Sequence, residues 1–397
     1  MPVAAAPTPR TNARPAPLRI GFLDLLDAAP LIVALERGFF ADEGLDVRLE
    51  RQLGWGSIRD RLTFGQLDAA HALLGMPLYS QLRQARFLEP LVGVMNLGAG
   101  GNAITLSRRL IEAGVRSATT LAEYVRAAPH GSERIVLGHV FDCSMHHYLL
   151  REWLASGGLN HDRDVALRVF PPNQLPAHMA RGHVDGFCVG EPWNTLAERS
   201  GAGQIVALTT DVLPAHPEKV LAVTRPWLDA RRDLLEPMIR AILRGCAYCE
   251  HDANQHALAE LLAMPPYLNA DPALIRQSLM LDRRNVGRTE RAGRTVRSFS
   301  RPSDWCARSF AANCTFPSKT HYAWLASQMR HWGRLPNDVD ASAVAQRCAD
   351  TTAYRAAAAS LGLDCPPTDF PPMTLRNGAF APNSAEPLQN TMQGATQ

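Results

Sequence analysis

Residues 18–49 read LRIGFLDLLDAAPLIVALERGFFADEGLDVRL. Leu18-Arg19-Ile20-Gly21-Phe22-Leu23 is a short apolar run with the look of a buried strand. Pro30 to Glu43 carries helical spacing, with proline in the first turn and Gly44 as the stop. Leu45-Asp46-Val47-Arg48-Leu49 alternates and reads as a second strand. A strand, a helix and a strand in so few residues form a βαβ unit, the building block of parallel sheets.

The alternation continues outward from there. A helix is expected over Ser57 to Phe64, a strand over Leu67 to Leu73, a helix over Met76 to Phe87 and a strand over Leu91 to Asn96. A second run begins with a helix at Leu121 to Ala128 and a strand at Arg134 to Val140. It continues with a helix at Ser144 to Ser156, closed by Gly157-Gly158, and a strand at Ala166 to Phe170. Then come a helix at Leu175 to Arg181, a strand at Gly186 to Val189, a helix at Trp193 to Arg199, and strands at Ile205 to Leu208 and Val220 to Thr224. From Pro226 the pattern is helical over 226–251, 254–263, 272–281, 321–332 and 340–360, with 283–315 irregular. This predicts an α/β protein with parallel sheets covered by helices. Two such units, joined by segments near 98–105 and 215–222, predict two lobes with a ligand cleft between them, at the carboxyl ends of the strands. The expected division is a disordered leader over 1–17, one lobe from 18–102 and 220–361, the other from 103–219, and a flexible tail over 362–397.

Composition narrows the function. The chain has 397 residues, 46% of them apolar and 20% charged, which is enough to bury a core. Forty-one Lys and Arg against 38 Asp and Glu give a formal charge of +3, with no basic excess of the kind that direct nucleic-acid binding needs. The longest apolar run, Ala28 to Leu35, is too short for a membrane span. The first 17 residues hold five prolines and no apolar export segment, so a cytoplasmic location is expected. Eight cysteines make no disulfide framework, and Cys246-x-x-Cys249 lies in a helical pattern as a buried pair.

Five places bear on ligand binding. Trp55, between Gly54 and Gly56, offers an indole N–H. Asn102 offers an amide at the first crossing. His146 falls in the first turn of a helix, where backbone N–H groups favour a small anion. The backbone of Val189 to Glu191 ends a strand, and Lys219 places an ammonium at the second crossing. Singly, these residues read as well as a surface tryptophan, a turn asparagine, a satisfied histidine and a solvated lysine. Together they are hydrogen donors suited to an oxyanion. No carboxylate pair groups with them in the sequence, no cluster has metal spacing, and neither a phosphate loop nor a nucleophile elbow appears. A catalytic reading would need Cys143 and His146 as nucleophile and base, without an evident third member. No enzyme and no cofactor are expected.

At these residues the sequence resembles the nitrate- and bicarbonate-binding proteins of the ABC-transporter substrate-binding class. The stretches that carry the likeness include GWGSIRDRL, LDAAHALLGMPL, GNAITLS, SMHHYLLREWLASGGLN, VDGFCVGEPWN, PEKVLAVT and NCTFPSKTHYAWLASQMRHWG. The resemblance implies a type-2 periplasmic-binding-protein fold closing on one planar anion held by Trp55, Asn102, His146, the Val189 backbone and Lys219. Glutamine is common in the family where Asn102 stands. Bicarbonate binders place an acid where Lys219 stands, so the lysine points to nitrate or nitrite. Members without an export signal resemble the cytosolic nitrate/nitrite sensor. That implies a partner, an antiterminator with an ANTAR domain, held without the anion and released with it. A transport receptor is the alternative. Lys219→Ala is expected to weaken the anion and spare the fold.

Overall fold

The computed structural model describes residues 16–82, 89–129, 131–214, 216–279, 314–336, 338–375 and 378–382. The first sheet contains β1 (Leu18–Phe22), β2 (Val47–Arg51), β3 (Ala69–Leu73) and β4 (Leu91–Asn96). The second contains β5 (Asn102–Ser107), β6 (Ile135–His139), β7 (Val165–Val169), β8 (Gly186–Gly190) and β9 (Gly203–Leu208). The chain then returns to the first sheet as β10 (Lys219–Thr224), giving the orders β2-β1-β3-β10-β4 and β7-β6-β8-β5-β9. The molecule is therefore an α/β protein of two lobes.

The expectation of parallel sheets is corrected. In each sheet four of the five strands run in the same direction, but β10 runs antiparallel to β3 and β4, and β5 runs antiparallel to β8 and β9. These two are the first strands after each passage between lobes, so each enters its sheet from the cleft. The sequence pattern missed β5 altogether, treating 98–105 as a joining segment. Reversal has a direct consequence for function. Lys219, the first residue of β10, pairs with Leu73 at the carboxyl end of β3, and Asn102, the first of β5, pairs with Gly190 at the carboxyl end of β8. Both amino-terminal residues thereby arrive where a parallel sheet opens onto its ligand. An antiparallel bridge between Ala99 and Pro217 ties the two crossings together.

The first lobe is held from outside by a long helix. Arg232–Glu250 buries Leu235, Met238, Ile239, Ile242, Cys246 and Cys249, spaced by three and four residues along one stripe. It packs on the helix Ala29–Glu36, and at Gly245 a methyl group would meet the Pro30 carbonyl, so glycine sets the approach of the two backbones. Each fully buried Leu or Ile in this contact contributes about 1.5–3 kcal/mol. The predicted helix over 226–251 is in fact Arg225–Ala230 followed by Arg232–Glu250, and 340–360 is likewise two helices, Ala341–Cys348 and Thr352–Ser360. Of the tail expected to be flexible, the described part holds a hairpin of Met373–Leu375 and Gly378–Phe380. Asp369 anchors it, accepting from Thr351 and Arg355 at 2.9 Å and pairing with Lys319 at 2.9 Å. Proline content there reflects extended chain docked on helices. Residues 1–15 of the leader expected over 1–17, most of the irregular segment and residues 383–397 lie outside the described residues. No helix among the described residues is long and apolar enough to cross a membrane.

Candidate functional site

The two crossings bring a charged cluster into the interior. Lys219 is fully buried, and its Nζ lies 2.9 Å from Asp27 Oδ2 and 3.0 Å from Glu218 Oε2. Asp27 sits in the short helical turn Leu26–Ala28 after β1, and its other oxygen is 2.8 Å from His71 Nε2 on β3. Glu218 is contacted on one oxygen by His216 Nδ1 at 3.2 Å and faces His146 Nε2 at 3.8 Å with the other. His216 Nε2 lies 2.9 Å from Thr209 Oγ1. Burial alone would raise both carboxyls. The Lys219 ammonium, with His71 on Asp27 and with His146 and His216 on Glu218, outweighs it and holds both below the usual carboxylate range. Burial would lower Lys219, but the two carboxylates more than offset that and keep it charged.

Around this pair of carboxylates stand donors with nothing to bond. Trp55 is the first residue of the helix Trp55–Thr63, its ring 5.6 Å below the Lys219 ammonium and 5.4 Å from the His71 ring. Its Nε1 is buried without a hydrogen-bond partner. The side-chain atoms of Asn102 are likewise unpartnered. Gly190, opposite Asn102, presents a bare backbone: a Cβ there would lie 3.3 Å from Asn102 Oδ1 and 3.8 Å from Asp27 Oδ2. Neither ring nitrogen of His146 has a hydrogen-bond partner. Buried polar groups are normally paired, because each orphan costs about 1–3 kcal/mol. Several in one place mark a site shaped for a molecule that accepts hydrogen bonds.

The structure brings Trp55, His146 and Lys219 into this cluster, with Asn102 alongside through Gly190. Val189 is placed differently: it lies inside the β5–β8 ladder opposite Ala103, and its carbonyl accepts from Asn194 Nδ2 at 2.8 Å. Glu191 N–H is spent on Gly101, which leaves the glycine between them as the close backbone surface. Two sequence expectations need correction. Lys219 does not stand free, and a carboxylate pair does group with the donors. Asp27, His71, His216 and Glu218 were missed. A histidine inside the apolar strand Ala69–Leu73 and the adjacency of Glu218 to Lys219 were the available signals. The Cys143–His146 reading loses its nucleophile: burial pushes the Cys143 thiol up to about 12, leaving no thiolate near neutrality.

One further group lies beside the site. His139, Asp142 and His147 offer ligand atoms within 4.8 Å of one another, which their spacing did not suggest. The ring nitrogens of the two histidines are already engaged. Arg151 Nε donates to His147 Nε2 at 2.6 Å, so the His147 proton is on Nδ1 and points to His139 Nε2 at 3.1 Å. His139 Nδ1 in turn faces the Phe141 carbonyl at 3.3 Å. Burial lowers both histidines, His139 to about 4, which matches neutral rings in a hydrogen-bond chain.

Two mixed-sheet lobes with ligand-seeking donors walled in between them define the periplasmic-binding-protein architecture. The chain belongs to the NMT1-like family, whose sequence profile matches residues 11–263. It is 36% identical over 352 residues to the bicarbonate transport ATP-binding protein CmpC of Synechocystis sp., covering 87% of this chain and 50% of that protein. The chain thus spans about half the length of the curated relatives it matches first. It is 30% identical over 368 residues to the nitrate/nitrite binding protein NrtA of Nostoc sp., covering 91% of this chain and 80% of the relative. The crystal structure of the periplasmic nitrate-binding protein NrtA from Synechocystis superposes with a TM-score of 0.82 at 26% identity, over 92% of this chain and 95% of that one.

Proposed function

We propose that this protein binds nitrate or nitrite in the interlobe cluster and acts as a cytosolic sensor. In this reading it holds an ANTAR-domain antiterminator in the anion-free state and releases it when the anion binds. The observation that carries the anion-binding part is the set of buried, unpartnered donors, Trp55 Nε1, Asn102 Nδ2 and His146, beside the Lys219 ammonium. Nitrate offers lone pairs and no proton, and so meets donors without competing for their acceptors. Relatives named as nitrate/nitrite binding proteins support the ligand class. The formal charge of +3 suits a protein that contacts a regulator and leaves nucleic acid to it. Release is a matter of linkage: an anion favouring the closed lobes weakens, by the same factor, any partner that favours the open ones.

A bicarbonate reading is favoured by one specific feature. Asp27 and Glu218 are acceptors placed on Lys219, and a protonated oxyanion could donate to one of them. The likeness to the bicarbonate-transport relative points the same way.

Titration of the purified protein with nitrate, nitrite and bicarbonate, followed by calorimetry and by tryptophan emission, separates these readings. Nitrate or nitrite is expected to bind, and Trp55→Phe, which keeps an aromatic ring but removes the indole N–H, is expected to weaken binding by about 1.5–3 kcal/mol. An unchanged affinity in Trp55→Phe would remove Trp55 from the site. A complex with the antiterminator that survives saturating nitrate would sink the sensor role. Recovery of the native chain from a periplasmic fraction would favour a transport receptor.

A further inference from the structure

The anion site carries more negative charge than an anion receptor should. Lys219, Asp27 and Glu218 by themselves sum to minus one before any ligand arrives. A bound monovalent anion would make minus two in an interior where like charges are screened poorly. A compensating positive charge must come from a group already facing the cluster. The groups that do so are His71 on β3, touching Asp27, His216 before β10, touching Glu218, His146 on the opposite lobe, and the buried thiol of Cys188 on β8. His71 and His216 already have carboxylate contacts, and His216 a second contact at Thr209. Neither ring nitrogen of His71 or of His146 has a hydrogen-bond partner, but His71 lies 2.8 Å from Asp27, whereas His146, on the opposite lobe, stands 3.8 Å from Glu218 and has room for a new contact.

A carboxylate accepts only, and so does nitrate. A neutral imidazole has one N–H and can serve one of them, while its bare nitrogen would face the other lone pair to lone pair. Only an imidazolium donates to both. We propose that the anion enters together with one proton, which is taken up by His146 so that one N–H meets the anion and the other meets Glu218. This inference rests on the nitrate-binding reading above and deepens it. Without ligand, His146 is held neutral by burial, which lowers it to about 3, so the proton has to be acquired on binding. Because a proton is taken up, the anion binds more tightly as pH falls.

The test is calorimetric titration with potassium nitrate at constant ionic strength, in Tris and in HEPES, across pH 6 to 8. Nitrate does not titrate in this range, so any proton counted belongs to the protein. The expected result is a binding heat that differs between buffers by close to one proton per anion, with affinity falling about tenfold per pH unit. In His146→Gln, which keeps an amide donor group and cannot titrate, nitrate is expected to bind more weakly, with equal heat in both buffers and a flat pH profile. Equal heats and pH-independent affinity in the unmodified protein would overturn the proposal, as would full proton uptake persisting in His146→Gln. Absence of nitrate binding at every pH would remove the underlying functional reading and this inference with it.

Discussion

Lys219 shows how neighbours change what a residue does. As a lone ammonium it would be a simple counter-ion for an anion. Between Asp27 and Glu218 it is also the charge that allows two carboxylates to be buried at all. Lys219→Ala is therefore not the clean binding mutant that its position in the chain suggests. It leaves both carboxylates buried without their main partner, and the variant is expected to lose about 3–5 kcal/mol of stability. Urea denaturation of the unliganded variant checks this, and an unfolding midpoint equal to that of the parent would show that the carboxylates find other compensation. The donors were readable from residue type and from position beside predicted strand ends. Asp27 was not, because it is far in sequence from Lys219 and nothing in the spacing links them.

Among the elements, the helix Met145–Ser156 fixes the histidine. Its N-cap, Ser144, accepts from His147 N–H at 3.2 Å and donates to the Phe141 carbonyl at 2.6 Å. The cap sets where the first turn begins, and so which way His146 projects. Ser144→Ala is expected to cost about 1 kcal/mol of stability and to weaken the anion as well, since the first turn loses its anchor. Thermal melts and nitrate titration of the same preparation read both effects, and a stability loss with unchanged affinity would show the cap to be structural only. The helix itself was legible, from Ser144 through the closing Gly157-Gly158. The strand β5 was not, because its residues Asn102–Ser107 are short, buried throughout, and preceded by the glycines that made the segment look like a linker.

For the whole molecule, the site exists only while the lobes meet. Leu26 N–H donates to the Glu191 carbonyl at 2.9 Å, Asn173 Nδ2 donates to Asp24 Oδ2 at 3.0 Å, and Arg199 pairs with Asp271 at 2.9 Å across the interface. The helix Lys319–His331 spans both: its first half packs on the first sheet, with Tyr322 against Gly93, and Trp332 just beyond it stacks edge-on to His161 of the second lobe at 4.8 Å. At Gly75 the backbones of the two lobes come close, and an added methyl would collide with the Cys143 carbonyl. Gly75→Ala is expected to prop the cleft open, raising the radius of gyration in solution scattering and weakening nitrate at least tenfold while each lobe stays folded. Unchanged scattering with unchanged affinity would mean that the lobes shift to absorb the methyl.

Local spacing was enough to reveal an α/β chain of two units, most of its helices, and the donor residues at strand ends. Those properties depend on periodicity and on residue chemistry, and both are written along the chain. The direction of β5 and β10, the pairing of Lys219 with Asp27 from a distant segment, and the enclosure of His146 against Glu218 were decided only when the crossings folded back between the lobes. Burial and Coulomb interaction depend on distance in space, and two residues nearly two hundred positions apart have no local pattern to announce that they will meet.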